Sequence, residues 1–250
     1  MTDIRFLGHA CFELSDGSAR LLVDPFLKPN NPSAPVSGDE VDPTHILISH
    51  GHADHIADAV GVAKRTGAHC VAIVEIASWL NAQGLDAVTD PNLGGTVEFD
   101  WGWVKLVQAF HTNTLPGSEE SPFSPETGTV IGLPAGLVIN VGGKTIYHLG
   151  DTCLFGDLQL IAERTPVDVA LIPIGGYSAY DHHPNHVNPE EAVQVFEDVH
   201  ARLMVPMHFG TFDLNREPFR EPPDRLLREA LKRGLEEHVA LLSPGQTIDW

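Results

Sequence analysis

The first twenty-five residues alternate between apolar and polar positions, "TDIRFLGHACFELSDGSARLLVDPF", with breaks at Gly8 and at the pair Asp16-Gly17. Alternation lays one face of each segment on a core, and an Asp-Gly pair suits a tight turn, so the pattern predicts a β-meander. From residue 56 the spacing changes. Ile56, Ala59, Val60 and Ala63 recur at helical intervals until Gly67, followed by a strand pattern in "HCVAIV" and a second helix near "IASWLNAQG". The middle returns to strands in "TVEFDWGWVKLVQAF" and "GLVINVGGKTIYHLGD", with Gly142-Gly143 as a hairpin turn. A strand in "RTPVDVALIPIGG", a helix in "NPEEAVQVFEDVH", a strand in "RLMVPMHF" and a helix in "PPDRLLREALKRG" complete the reading. Meander and α/β units alternate with no fixed-period repeat and no separating linker, which predicts one α/β domain over residues 1–250.

Two stretches escape these periodicities. Residues 112–129 are rich in Pro, Ser, Gly and Thr, and residues 175–189 hold three histidines and two tyrosines. Both read as loops, where binding and catalytic groups concentrate.

Composition narrows the function classes. Lys and Arg total 15 against 34 Asp and Glu, a formal charge of −19. Such a surface repels phosphate backbones and anionic bilayers, so neither nucleic acid nor stable membrane insertion is expected, and the partner is a small-molecule substrate. Self-association into a homo-oligomer stays open. The start "MTDIRFLGHACF" has neither a basic leader nor a long apolar run, which points to a cytoplasmic location. Cys11, Cys70 and Cys153 are an odd number without C-x-x-C spacing and fit reduced thiols.

Residues 46–58, "ILISHGHADHIAD", run from apolar strand material into His50, His52, Asp54 and His55. The i, i+2 pair falls on one side of an extended loop, and Asp54 and His55 fall where the chain turns toward a helix. That spacing offers two small groups of imidazole nitrogens and carboxylate oxygens, the donors that suit Zn²⁺ and its neighbours. Two cations held close together need further donors. His111 follows "VKLVQAF", Asp151 follows "KTIYHLG" and His208 follows "RLMVPM", each just past a strand, where open α/β sheets place ligands.

The series H-x-H-x-D-H, His, Asp, His resembles that of the metallo-β-lactamase fold superfamily, whose fold is a four-layer αβ/βα sandwich with a binuclear site along one edge. "FLGHACF", "DPF" and "KTIYHLGDT" are similar to metal-dependent hydrolases related to L-ascorbate-6-phosphate lactonase. "PIGGY", "HVNPEEAV", "HFGTF" and "EPP" at 221–223 are similar to N-acylphosphatidylethanolamine phospholipase D and its bacterial relatives. The resemblance implies that His50, His52 and His111 hold one divalent ion and Asp54, His55 and His208 the other, with Asp151 bridging. Zn²⁺ is the first expectation and Mn²⁺ the alternative. It also implies that His186 reaches the active site outside those seven ligands, and that Asp24 orients a ligand from behind. His9 reads as a hydrogen-bonded structural histidine, Cys153 as a small filler, and His182 and His183 as surface residues.

The expected chemistry is metal-dependent hydrolysis of a phosphodiester or of a lactone, ester or amide, with Asp54 orienting the nucleophile or passing on its proton. Diiron flavoproteins of similar fold use glutamate where this chain has His52, which argues against redox chemistry. A glyoxalase II-type thiolesterase needs a helical C-terminal domain, and RNA processing needs a basic exosite. A non-catalytic metal-binding sensor or assembly protein is the competing class.

Overall fold

A computed structural model describes residues 2–116, 128–175, 185–212 and 221–250. The N-terminal alternation forms β1 (Asp3–Gly8), β2 (Cys11–Ser15) and β3 (Arg20–Val23), an antiparallel meander that sets Phe6 opposite Phe12 and Leu14 opposite Leu21. β4 (His45–Leu47), β5 (His69–Val71) and β6 (Val88–Thr89) then add in parallel. Their crossovers carry α1 (Ala53–Ile56), α2 (Ala59–Thr66) and α3 (Val74–Ala82).

The chain then repeats this course. β7 (Thr96–Phe99) and β8 (Gly102–Gln108) form a hairpin, β9 (Thr114–Leu115) and β10 (Thr129–Val130) pair as a small arm, and β11 (Ala135–Val141) and β12 (Lys144–His148) complete an antiparallel set. β13 (Val169–Pro173) and β14 (Leu203–Met207) join in parallel, with α4 (Leu158–Arg164) and α5 (Pro189–Asp198) in the crossovers. α6 (Glu221–Arg233) follows, and β15 (Thr247–Asp249) returns to the first sheet beside β1. The two large sheets run β15-β1-β2-β3-β4-β5-β6 and β14-β13-β12-β11-β8-β7.

Side-chain parity explains the layering. On β11, Leu137, Ile139 and Val141 face the first sheet, in one core with Ile4, Leu14 and Leu21, while Val138 faces the other way with Tyr147 toward α4, α5 and α6. Ala59, Val62, Ile76 and Leu80 close the outer side of the first sheet. The result is helix, sheet, sheet, helix, the expected αβ/βα sandwich.

Several elements differ from the sequence-based expectation. The helix expected from residue 56 is split between α1 and α2, because Asp58 turns to the preceding loop and accepts hydrogen bonds from Leu27 N–H at 2.6 Å and Asn30 Nδ2 at 3.0 Å. The strand expected over 69–74 stops at Val71, and Val74 already opens α3. α4 and β15 have no strong local pattern and form because the sheet offers a face and an edge to cover. Among the described residues no helix is long and apolar enough to cross a membrane.

Candidate metal centre

Strand ends deliver the polar side chains to one edge of the sandwich. His9 follows β1, Asp24 follows β3, the 50–55 cluster follows β4, and His111, Asp151 and His208 follow β8, β12 and β14. His9, Asp24 and His208 hold φ values of 58°, 45° and 59°, a left-handed conformation uncommon outside glycine. Gly150 has φ 62°, and a Cβ there would lie 2.6 Å from Ala135 O, so only glycine lets the chain turn before Asp151.

Among the described residues four overlapping donor clusters result: His50, His52, His111 with Asp151; His9, Asp54, His55 with His208; Asp24, His50 with His55; and Asp151, His186 with His208. The expected ligands fall in the first two, with Asp151 reaching both. In the first, His52 Nδ1 lies 3.1 Å from His50 Nε2 and 3.2 Å from His111 Nε2, with Asp151 Oδ2 3.7 Å from both His50 and His111. In the second, Asp151 Oδ2 lies 3.3 Å from His55 Nε2 and 3.1 Å from His208 Nε2, while Asp54 Oδ2 is 4.0 and 3.8 Å from the same nitrogens. Asp151 is thus common to both groups.

The donors fit a pair of cations. Two nitrogens on one tetrahedral zinc lie about 3.3 Å apart, given bonds of about 2.05 Å, and the imidazole separations in the first group are close to that. His55 Nε2 and Asp151 Oδ1 are buried with no hydrogen-bond partner among the described residues, a costly state unless a cation takes up their lone pairs.

Hydrogen bonds behind the donors aim those lone pairs. Ser49 Oγ–H donates to Asp24 Oδ2 at 2.6 Å, and the same hydroxyl lies 3.0 Å from His50 Nδ1 and accepts its proton. His55 Nδ1–H donates to Asp24 Oδ2 at 2.8 Å. One buried carboxylate therefore sets the tautomers of two histidines, one in each donor group, and leaves both Nε2 atoms free to bind. His52 uses the other nitrogen, with Nε2–H toward Thr112 Oγ1 at 3.3 Å.

Electrostatics favour the binding forms at the donors other than His55, whose proton a bound cation would have to displace. Burial pushes the imidazoles of His50 and His52 down, His111 to about 3 and His208 to about 4. Burial acts to raise Asp54, but facing His55 and the hydrogen bond from His9 outweigh it and hold that carboxyl well below the usual range. Asp151 is held down similarly, burial being outweighed by His208 and His55. His55 moves upward, because Asp151, Asp24 and Asp54 outweigh its burial. Neutral imidazoles and ionised carboxylates are the forms that bind metal.

His186 lies beside this cluster. Its ring is 4.6 Å from that of His111 and 5.1 Å from that of His208, its Nε2 is 3.2 Å from Asp151 Oδ2, and its Nδ1 donates to Asn185 Oδ1 at 2.7 Å. The seven positions read as ligands and His186 are therefore all brought together. Cys153 is half-buried, and burial raises its thiol, which suits the filler reading. His182 and His183, with most of the 175–189 loop and residues 117–127, lie outside the described residues.

The structure also places His9, read as a hydrogen-bonded structural histidine, and brings in Asn113 and His148, which sequence reasoning passed over. His9 sits fully buried against the second donor group. Asn113 fastens the His50–His52 segment, accepting from Gly51 N–H at 2.7 Å and donating to Ile131 O at 2.8 Å and Leu133 O at 3.1 Å. His148 Nε2–H donates to Ala10 O at 2.8 Å, tying the second sheet to the β1–β2 turn. Only proximity in sequence to His111 and Asp151 hinted at Asn113 and His148.

Residues 19–209 match the beta-lactamase superfamily domain. Over 248 residues the chain is 38% identical to the UPF0173 metal-dependent hydrolase MK1542 of Methanopyrus kandleri, covering 98% of this chain and 99% of the relative. It is also 38% identical over 248 residues to TTHA1283 of Thermus thermophilus, likewise described as a UPF0173 metal-dependent hydrolase, covering 99% of each. Among solved structures, the metallo hydrolase Igni18 of Ignicoccus hospitalis superposes with a TM-score of 0.80 at 28% identity over 100% of both chains.

Proposed function

Since the chain belongs to the metallo-β-lactamase superfamily and, within it, to the UPF0173 metal-dependent hydrolases, we propose that it is a binuclear hydrolase of a small molecule, loaded with zinc or, as the alternative, manganese. The observation that carries this reading is Asp151, whose Oδ2 lies within 3.7 Å of nitrogens in both donor groups. Bound together, two such ions supply an acidified water and positive charge for a developing oxyanion.

The chain's own residues do the rest. His50, His52 and His111 would hold one ion and Asp54, His55 and His208 the other, with Asp151 within reach of both sets. Asp54 is 15% exposed at its side chain and so can orient the attacking water and take its proton. His186, anchored at Nδ1 by Asn185, would present Nε2–H to the leaving oxygen as an imidazolium, since the neutral ring holds its one proton at Nδ1. Asp24 and Ser49 keep His50 and His55 from rotating between substrates.

A phosphodiester is the first substrate class, on the strength of the phospholipase D-like segments around His186 and His208. A lactone or ester is the second reading, and a specific observation favours it. Phe110, next to His111, is 53% exposed and stacks edge-on with Phe155 at 5.0 Å, and Leu154 beside them is also exposed. This apolar wall fits an acyl or aromatic group.

The test measures metal content and turnover on one preparation. We expect two ions per chain and cleavage of bis-p-nitrophenyl phosphate, and loss of both occupancy and turnover in His111→Ala and Asp151→Ala. Full metal content in both variants would sink the ligand assignment. High kcat/KM on a lactone panel with none on diesters transfers the reading to the lactonase class, and no turnover on either panel with both ions bound favours the non-catalytic sensor.

A further inference from the structure

The sequence reads His9 as a hydrogen-bonded structural histidine, and its surroundings say more. The side chain is fully buried, and Nε2 lies 2.9 Å from Asp54 Oδ2. Its ring stands 4.0 Å from that of His208 and 5.7 Å from that of His55. Its backbone carbonyl accepts the His208 N–H at 2.7 Å. His9 thus touches Asp54, His55 and His208, the members of the second donor group apart from the shared Asp151.

The conformation adds a second observation. Five non-glycine residues have positive φ among the described residues: His9, Asp24, Asn92, His200 and His208. Three of them cluster here, and such backbone states, costing about 1–3 kcal/mol each, persist where the surroundings fix them and concentrate at functional sites. A residue serving only to fill the turn would be replaced without loss by glycine.

The hydrogen-bond pattern says what the ring does. His9 Nδ1 has no partner among the described residues, so the proton belongs on Nε2, where it is donated to Asp54 Oδ2. A carboxylate oxygen has capacity for that donor and for a cation together. The edges of Phe26 at 5.6 Å and Phe212 at 5.2 Å box the ring so that it cannot swing away.

We infer that His9 is a positioning residue for the second ion alone: its side chain fixes the Asp54 carboxylate and its carbonyl fixes His208, while the site of His50, His52 and His111 does not depend on it. The inference rests on the binuclear reading above, and the experiment separates the two. Metal-free full-length protein is titrated with Zn²⁺ by calorimetry, with circular dichroism recorded on each sample.

The wild type should bind two ions. His9→Asn tolerates the left-handed backbone but is too short to reach Asp54, and His9→Gly removes the side chain at no backbone strain. Both should keep the first binding event and weaken the second by about 10–100-fold, the usual effect of losing a hydrogen bond behind a metal ligand. Should one variant fail to fold, the other carries the test. Unchanged affinity for both ions in a folded variant overturns the role of His9, and so does an equal weakening of both. Fewer than two ions on the wild type defeats the binuclear reading itself, before His9 is tested.

Discussion

At the scale of single residues the site is organised by which nitrogen carries a proton. Ser49 and Asp24 fix that choice for His50 and His55, Thr112 for His52 and Asn185 for His186. His186 Nε2 shares Asp151 with His55 and His208, but His186 stands outside the seven positions read as ligands. We therefore expect His186→Ala to keep both ions and the fold but lower kcat by about 10²–10⁴-fold, the range for a positioned proton donor. The loss should shrink for substrates whose leaving group is already a stable anion. Metal analysis beside a leaving-group series checks this, and a loss of metal would show that His186 is itself a ligand.

Elements hold those residues at the correct height. α5 begins three residues after His186 with a reciprocal cap: Asn188 Oδ1 accepts from Glu191 N–H at 2.9 Å, and Glu191 Oε2 accepts from Asn188 N–H at 3.1 Å. Pro189 at the first helical position reinforces the start, and Ala192, Val193, Val195 and Phe196 bury the inner face. Val187 N–H donates to Thr152 O at 2.9 Å, so the helix start is tied to the Asp151 loop. Asn188→Ala should lower unfolding free energy by about 1 kcal/mol, as loss of such a cap does, and reduce kcat with metal content intact. Urea unfolding together with metal analysis reads both, and a stability loss with unchanged kcat would show that His186 does not depend on the helix start.

For the whole molecule, the two sheets repeat one scheme, an antiparallel set followed by parallel strands, so the active strand ends converge on one edge and the opposite ends are left to structure. At that opposite end His45 and His69 pair in register on β4 and β5. Trp101 Nε1–H donates to His45 Nε2 at 3.1 Å, so His45 is an acceptor in the folded state. Burial pushes His45 down to about 4 and lowers His69 as well. Folding therefore opposes protonation: above pH 6.5 the pair has no effect, and as pH falls from there toward about 4 the unfolded chain takes up protons that the folded chain refuses. Stability should drop across that window. His45→Gln, which keeps an acceptor for Trp101, should flatten the drop relative to wild type in Tm measured from pH 7 to 4.5. Equal pH slopes for the two proteins would dismiss the pair as a source of acid sensitivity.

How far the sequence alone reaches follows from contact range. The meander, the Gly142-Gly143 hairpin, α5 and the H-x-H-x-D-H cluster were legible because each is a local pattern, in which period, turn residue or ligand spacing acts within a few positions. His111, Asp151 and His208 were legible as strand-end residues, since both sheets place such residues at one edge. What tertiary structure decided is everything made by two distant segments at once. Asp58 breaks a helix because Leu27 and Asn30 are near it, and β15 exists because β1 leaves an edge open. His9 passes from structural histidine to neighbour of Asp54, His55 and His208 because packing of the two sheets sets a turn after β1 against residues 45 and 199 positions away. The sequence determined which donors the chain carries and at which strand ends they sit; only the fold determined which of them meet, because a hydrogen bond between remote residues leaves no trace in local periodicity.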